Sequence, residues 1–215
     1  MKVVVTGATG NVGTSVMRRL SADPGIDHVV GLARRVPAAT EPGVTWQSVD
    51  VAGGDLDTSF AGADAVVHLA WVIQPNRDRA FLRRVNEEGS RRVAEAVVRN
   101  RVPALVYASS VGTYSYGPKD RPVDESWSTA GIDGSLYSRQ KSAVEALLDQ
   151  VESDHRELRV VRLRTALVFQ RQAAAEIHRY FIGRAVPMRL LRRSLIPVVP
   201  HHPRLVFQVV HAGPV

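Results

Sequence analysis

Val3-Val4-Val5-Thr6-Gly7-Ala8-Thr9-Gly10-Asn11-Val12-Gly13 stands at the head of the chain, a β-branched run that ends in three glycines spaced three apart and then turns to helical periodicity. Each glycine answers a different steric need. Gly7 permits a tight turn, Gly10 lets the backbone approach a diphosphate with no Cβ between them, and Gly13 lets a helix pack closely on the strand. The helix beginning at Asn11-Val12 adds unpaired N–H groups and the positive end of its dipole, an arrangement suited to anions. Strand, glycine loop and helix in that order are the context a dinucleotide fingerprint requires; taken by itself, the loop is also compatible with an ordinary glycine-rich turn.

Outward from this loop, apolar runs of strand length alternate with helical stretches as far as about residue 164. Strands are expected at Val3–Thr6, His28–Ala33, Val44–Ser48, Ala65–Leu69, Ala104–Ala108 and Arg159–Leu163, and helices at about 12–21, 77–99 and 135–152. Near-continuous hydrophobicity, as in Ala65-Val66-Val67-His68-Leu69, fits strands covered by helices on both faces. The pattern predicts an α/β fold with a doubly wound, Rossmann-like parallel sheet. Beyond Leu163 the alternation fades. Gln172–Gly183 reads as a helix, Pro187 to Pro203 is rich in arginine and proline, and Leu205–Val210 reads as one strand. We therefore expect a dinucleotide-binding domain over 1–165 and a short, partial substrate segment over 166–215, too small to bury a core of its own.

Composition narrows the classes of function. The 215 residues, 45% hydrophobic, suffice for one packed core, and the absence of cysteine excludes disulfides, thiolate metal sites and a thiol nucleophile. The apolar opening stops at a glycine loop and is too short for a secretory segment, and no stretch reaches membrane-spanning length, so a soluble, cytoplasmic protein is expected. The net charge of +7 raises the question of nucleic acid. The basic residues are mostly arginines scattered in pairs over predicted helix surfaces, which argues for solvated faces and against a nucleic-acid partner. His201, His202 and His211 lack partners at ligand spacing, so no metal site is expected.

The chemistry lies further along. The second strand ends Gly31-Leu32-Ala33-Arg34-Arg35 with no carboxylate at the place where one would bind a ribose 2′-hydroxyl. A guanidinium there suits a 2′-phosphate, which favours NADP over NAD; Arg34 and Arg35 as plain surface charges would leave the choice open. Tyr137 and Lys141, four apart on a predicted helix, share one face. A tyrosine acting as a base near neutrality must lose about three pKa units, close to 4 kcal/mol. One ammonium about 4 Å away supplies roughly that amount at an effective dielectric near 20. Ser109 and Ser110 end the fifth strand at the carboxyl edge of the sheet, where ligands of open α/β folds bind. Trp71, just past the fourth strand, is the tryptophan placed to touch a cofactor or substrate, whereas Trp46 and Trp127 read as core or pocket walls.

The Thr-Gly-x-x-Gly-x-x-Gly spacing, the paired strand-end serines and Tyr137-x-x-x-Lys141 together resemble the extended short-chain dehydrogenase/reductase family of NAD(P)-dependent epimerases and dehydratases, over residues 1 to about 170. The resemblance implies Asp50-Val51 at the adenine, Leu69-Ala70 along the cofactor, and Asn86 in the family's Asn-x-x-Gly-Thr segment, here with Ser90. It places Ser110 in the catalytic position ahead of Ser109. By this likeness Ser110 would hold a carbonyl or hydroxyl, Tyr137 would move the proton, and Lys141 would lower the tyrosine pKa and hold the ribose. The cofactor contacts it implies run through Gly7, Gly10, Asn11, Val12, Gly13, Arg34, Tyr137 and Lys141 as well. The substrate would be a small carbonyl compound or a nucleotide sugar, and a homodimer would form through the two long helices. Two departures stand out: Arg164–Gln170 lacks the usual Gly-Pro, and the acidic pair of a Val-His-Val-Asp-Asp-Val segment is missing at Val209-Val210-His211-Ala212. The competing function is a non-catalytic dinucleotide-binding or redox-sensing regulator.

Overall fold

The computed structural model describes residues 1–38, 42–73, 78–118, 120–170 and 208–212. Six strands, β1 (Lys2–Thr6), β2 (His28–Ala33), β3 (Val44–Ser48), β4 (Ala65–His68), β5 (Ala104–Ala108) and β6 (Arg159–Leu163), form one sheet in the order β3-β2-β1-β4-β5-β6. All neighbours pair in parallel. The order reverses between β1 and β4, so their carboxyl ends part and leave a crevice at the switch point.

Alternation along β1 divides its side chains between two cores. Val3 and Val5 face α1 (Asn11–Ser21), packing with Met17 and Val29. Val4 faces the opposite way into the larger cluster, with Val30, Val66, Leu105, Val93, Val97, Val144 and Leu148. Helices therefore cover both faces, as the unbroken valine runs require. A short α2 (Asp57–Phe60), not anticipated from the sequence, buries Phe60 completely.

The expected helix over 77–99 is one helical run with an irregular centre: α3 (Arg79–Arg83), a π turn over Arg84–Glu88, and α4 (Gly89–Arg99). It starts where the Asp78 carboxylate accepts the Phe81 N–H at 2.9 Å, an N-cap that satisfies one orphan donor. Residue 77 lies outside the described residues. The helix expected at 135–152 is α5 (Leu136–Asp154), capped by Ser135, whose hydroxyl accepts the Ser138 N–H at 3.2 Å.

After β6 two further strands, β7 (Leu167–Phe169) and β8 (Val209–His211), pair in parallel with each other, apart from the main sheet. β8 overlaps the end of the strand expected over Leu205–Val210 and runs one residue further, while β7 was not anticipated. The helix expected over Gln172–Gly183, the arginine- and proline-rich stretch and the His201-His202 pair lie outside the described residues. Among the described residues no helix is long and apolar enough to cross a membrane, and no cluster of His, Cys, Asp or Glu could hold a metal ion.

Candidate active site

The glycine loop is built by close contact. Gly7 takes φ +70°, and a Cβ there would stand 2.7 Å from the Ala70 nitrogen; a Cβ on Gly13 would strike the carbonyl oxygen of Gly7 and sit 2.7 Å from the Ala8 carbonyl carbon. Neither position admits a side chain. A Cβ on Gly10 would meet only the Gly7 oxygen, at 3.2 Å. Gly10 caps α1 without a side chain, and the first turn of α1 carries no acidic residue. The leading N–H groups of Asn11, Val12 and Gly13 thus have neither an intrahelical acceptor nor a competing anion, which fits a diphosphate. Asn11 is held from the side: its Nδ2 donates to the Val168 carbonyl at 2.8 Å, and its Oδ1 is buried with no partner among the described residues.

At the adenine end, Arg34 follows β2 and is exposed, and it makes no ion pair among the described residues. Asp50 is exposed and its carboxylate accepts the Ala52 N–H at 3.0 Å, whereas Val51 is buried in the larger core.

Beneath the crevice runs a directed chain of hydrogen bonds that the sequence did not suggest. The Ala70 N–H donates to Thr6 Oγ1 at 3.4 Å, and Thr6 Oγ1 lies 2.7 Å from His68 Nδ1. His68 Nε2 lies 2.9 Å from Ser90 Oγ, which donates to the Asn86 carbonyl at 2.6 Å. Since Ser90 spends its proton on Asn86, His68 carries its own on Nε2 and accepts from Thr6 at Nδ1. Burial, with the nearby Lys141 charge, brings the His68 pKa down to about 3, so the ring stays neutral. The Asn86 side chain is committed as well. Its Oδ1 accepts the Val72 N–H at 2.8 Å, and its Nδ2 donates to the Val72 carbonyl at 3.0 Å and to Gln140 Oε1 at 3.1 Å. Asn86 therefore fixes the backbone that follows Leu69-Ala70.

Ser110, Tyr137 and Lys141 come together at the carboxyl edge of β5. The Ser110 hydroxyl accepts the Gly112 N–H at 3.0 Å and stands near Tyr137, whose pKa it works to lower. Gly112, which sequence reading passed over, threads between them: a Cβ on it would lie 3.2 Å from the Tyr137 ring and 3.3 Å from Ser110 Oγ. Ser109 points elsewhere and donates to the buried Glu145 carboxylate, which Arg164 also grips through Nε and Nη2. Arg164 Nη1 reaches Tyr114 Oη at 3.3 Å and the Glu125 carbonyl at 3.2 Å, tying α5 to the loop ahead of it. Burial works to raise the Glu145 pKa, but hydrogen bonds from Arg164 and Ser109 and the charges of Arg164 and Arg162 outweigh it and hold the carboxyl low.

Lys141 departs from the expected arrangement. Its Nζ donates to the Ala108 carbonyl at 2.7 Å and to Tyr107 Oη at 3.2 Å, not to Tyr137, and it lies 3.6 Å from the centre of the Trp71 ring. Burial, opposed by the Glu145 charge, brings its pKa down to about 7. The Tyr137 phenol is pushed above its ordinary value by burial, with the Ser110 hydrogen bond pulling the other way. The expected depression of the tyrosine by the lysine is thus not what this arrangement gives. The helical spacing puts both residues on one face, but the ammonium turns toward the strand carbonyl and Tyr107.

The model of the NAD dependent epimerase/dehydratase family matches residues 3–193. Among curated relatives, L-arabinose 1-dehydrogenase (NAD(P)(+)) of Haloferax volcanii is 34% identical over 112 residues, 51% of this chain and 41% of that protein. Ceramide reductase of Caulobacter vibrioides is 37% identical over 100 residues, 44% of this chain and 30% of the relative. Among solved structures, MoeE5 in complex with UDP-glucose and NAD superposes with a TM-score of 0.70 at 25% identity, covering 85% of this chain and 62% of MoeE5. In each case the match spans less than two thirds of the other protein.

Proposed function

This chain belongs to the NAD dependent epimerase/dehydratase family, and we propose that it is an NADP-preferring oxidoreductase or epimerase/dehydratase acting on a small carbonyl compound or a nucleotide sugar. The observation that carries the reading is the convergence of Ser110 and Tyr137 on either side of Gly112, beside a buried Lys141, at the sheet edge served by the glycine loop. Gly7, Gly10, Asn11, Val12 and Gly13 would hold the diphosphate, Arg34 the 2′-phosphate, and Asp50-Val51 and Leu69-Ala70 the adenine and the adjoining chain of the cofactor. When bound, the nicotinamide supplies hydride transfer. Ser110 orients the substrate oxygen by a hydrogen bond, Tyr137 exchanges a proton with that oxygen, and Lys141 holds the ribose. A phenol kept above its ordinary pKa is neutral at pH 7 and can donate its proton to a developing alkoxide.

Residues 1–165 would form the dinucleotide domain and 166–215 part of the substrate region, with two copies joined through the helices at 79–99 and 136–154. The test measures NADPH and NADH binding by fluorescence and carbonyl reduction by the natural protein and by Tyr137→Phe. We expect tighter NADPH binding, and in the variant undiminished binding with turnover lowered at least about 100-fold, the usual worth of a positioned proton donor. Equal turnover by both proteins would remove Tyr137 from the reaction; turnover by neither, with binding retained, would favour the regulator.

A further inference from the structure

The side chain of Trp71 lies across the centre of the candidate site. Its indole stands 3.6 Å from Lys141 Nζ on one side and meets the Tyr137 ring edge-on, with centroids 6.1 Å apart. An ammonium has three donors. Lys141 gives one to the Ala108 carbonyl and one to Tyr107 Oη, and the indole covers what remains, leaving the residue 3% exposed. A ribose hydroxyl cannot reach Lys141 while the indole lies there. Among the described residues no hydrogen bond holds the indole in place, however: Trp71 Nε1 is buried without a partner, whereas a tryptophan fixed as structure normally pairs that N–H. The backbone beside it is fixed, because Asn86 grips both the N–H and the carbonyl of Val72. Movement must therefore come from rotation of the side chain.

We propose that Trp71 is the gate of this site: its indole covers the Lys141 ammonium and rotates aside to admit the ribose end of the dinucleotide. The proposal rests on the dinucleotide reading given above. Rotation exchanges a cation–π contact for hydrogen bonds from the ribose, and it gives the buried indole N–H a way to find an acceptor. Entry is then a two-step process, encounter at the glycine loop followed by opening over Lys141.

The chain has three lysines, Lys2, Lys119 and Lys141, so protein grown with 13C at lysine Cε gives three methylene signals in which Lys141 can be followed directly. We expect the Lys141 signal to be shifted upfield by the indole, to lose most of that shift on addition of NADPH, and to lack it from the start in Trp71→Ala. Trp71→Leu, which keeps apolar bulk without a ring, serves if the alanine variant fails to fold. Both variants should bind NADPH about five-fold more tightly, since the closed state no longer competes. Stopped-flow binding should lose the concentration-independent second phase of the natural protein. If NADPH binds while the upfield shift persists, or if the variants bind it more weakly, the gate is overturned and the dinucleotide reading stands. If neither NADPH nor NADH binds to the natural protein or to the variants, the dinucleotide reading fails and takes the gate with it.

Discussion

At the scale of single residues, the site depends on two features that are sensitive to one atom or one proton. Gly112 is the first. Its missing Cβ is what lets Ser110 and Tyr137 meet, since a methyl group would stand 3.2 Å from the phenol ring. Gly112→Ala should leave the fold and dinucleotide binding intact while lowering turnover by up to about 10-fold, because the Tyr137 ring and the Ser110 hydroxyl must each give by a few tenths of an ångström; steady-state kinetics beside a binding titration checks it. The second is Lys141, whose pKa falls from about 10.5 to about 7 on burial. Between those values the unfolded chain holds a proton that the folded chain does not, so stability rises with pH across that window and the charging penalty is complete below it. From pH 7 to pH 9 this one group should add about 2 kcal/mol. Urea denaturation should show the gain in the natural protein and its loss in Lys141→Met. The glycines were legible because all their partners lie within one short stretch or in the loop opposite. Gly112 was not, because nothing nearby in sequence announces that a tyrosine 25 positions later closes over it.

At the scale of elements, α5 acts as a spine. Tyr137, Lys141 and Glu145 recur every four residues, which stacks them on one face. Tyr137 and Lys141 stand out as a pair in the sequence, but the third member of the stripe does not, since its partners Ser109 and Arg164 come from β5 and from the end of β6. Helix existence was legible from apolar periodicity, while the π turn at Arg84–Glu88 leaves no period of its own and appears only once Asn86 is seen gripping Val72. The Glu145–Arg164 pair gives the prediction at this scale. Glu145 is nearly inaccessible and Arg164 neutralises it, so Arg164→Met should cost about 3–5 kcal/mol near neutral pH by leaving a buried carboxylate uncompensated. Glu145 has a depressed folded pKa, so its contribution is present above the ordinary carboxyl range and is lost as pH falls. The natural protein and Arg164→Met should therefore converge in urea midpoint as pH falls, beginning above the ordinary carboxyl range, because the buried carboxyl without Arg164 takes up its proton more readily.

For the whole molecule, the decisive contact joins α1 to Gln170, 155 to 159 residues further along the chain. Gln170, 8% exposed after β7, donates through Nε2 to the Asn11 carbonyl and to Thr14 Oγ1 at 3.1 Å, and its Oε1 accepts the Ser15 hydroxyl at 2.9 Å. Asn11 returns a bond to Val168. Residues 167–170, part of the stretch where the alternation of the sequence fades, brace the first turn of the helix proposed to seat the diphosphate. Bracing of this kind couples stability to binding. Gln170→Leu leaves Ser15, 1% exposed, without its acceptor and should cost about 1–3 kcal/mol. It should also loosen α1 enough to weaken NADPH. If the two effects share a cause, pairing Gln170→Leu with Ser15→Ala, which removes the stranded hydroxyl, should restore part of the stability, while the NADPH affinity stays low because the Asn11 carbonyl and the Thr14 hydroxyl still lack the Gln170 amide. Thermal melts with and without NADPH separate these outcomes. A double variant that regains stability and affinity together would mean that α1 is held by packing alone and that the brace plays no part in seating the cofactor.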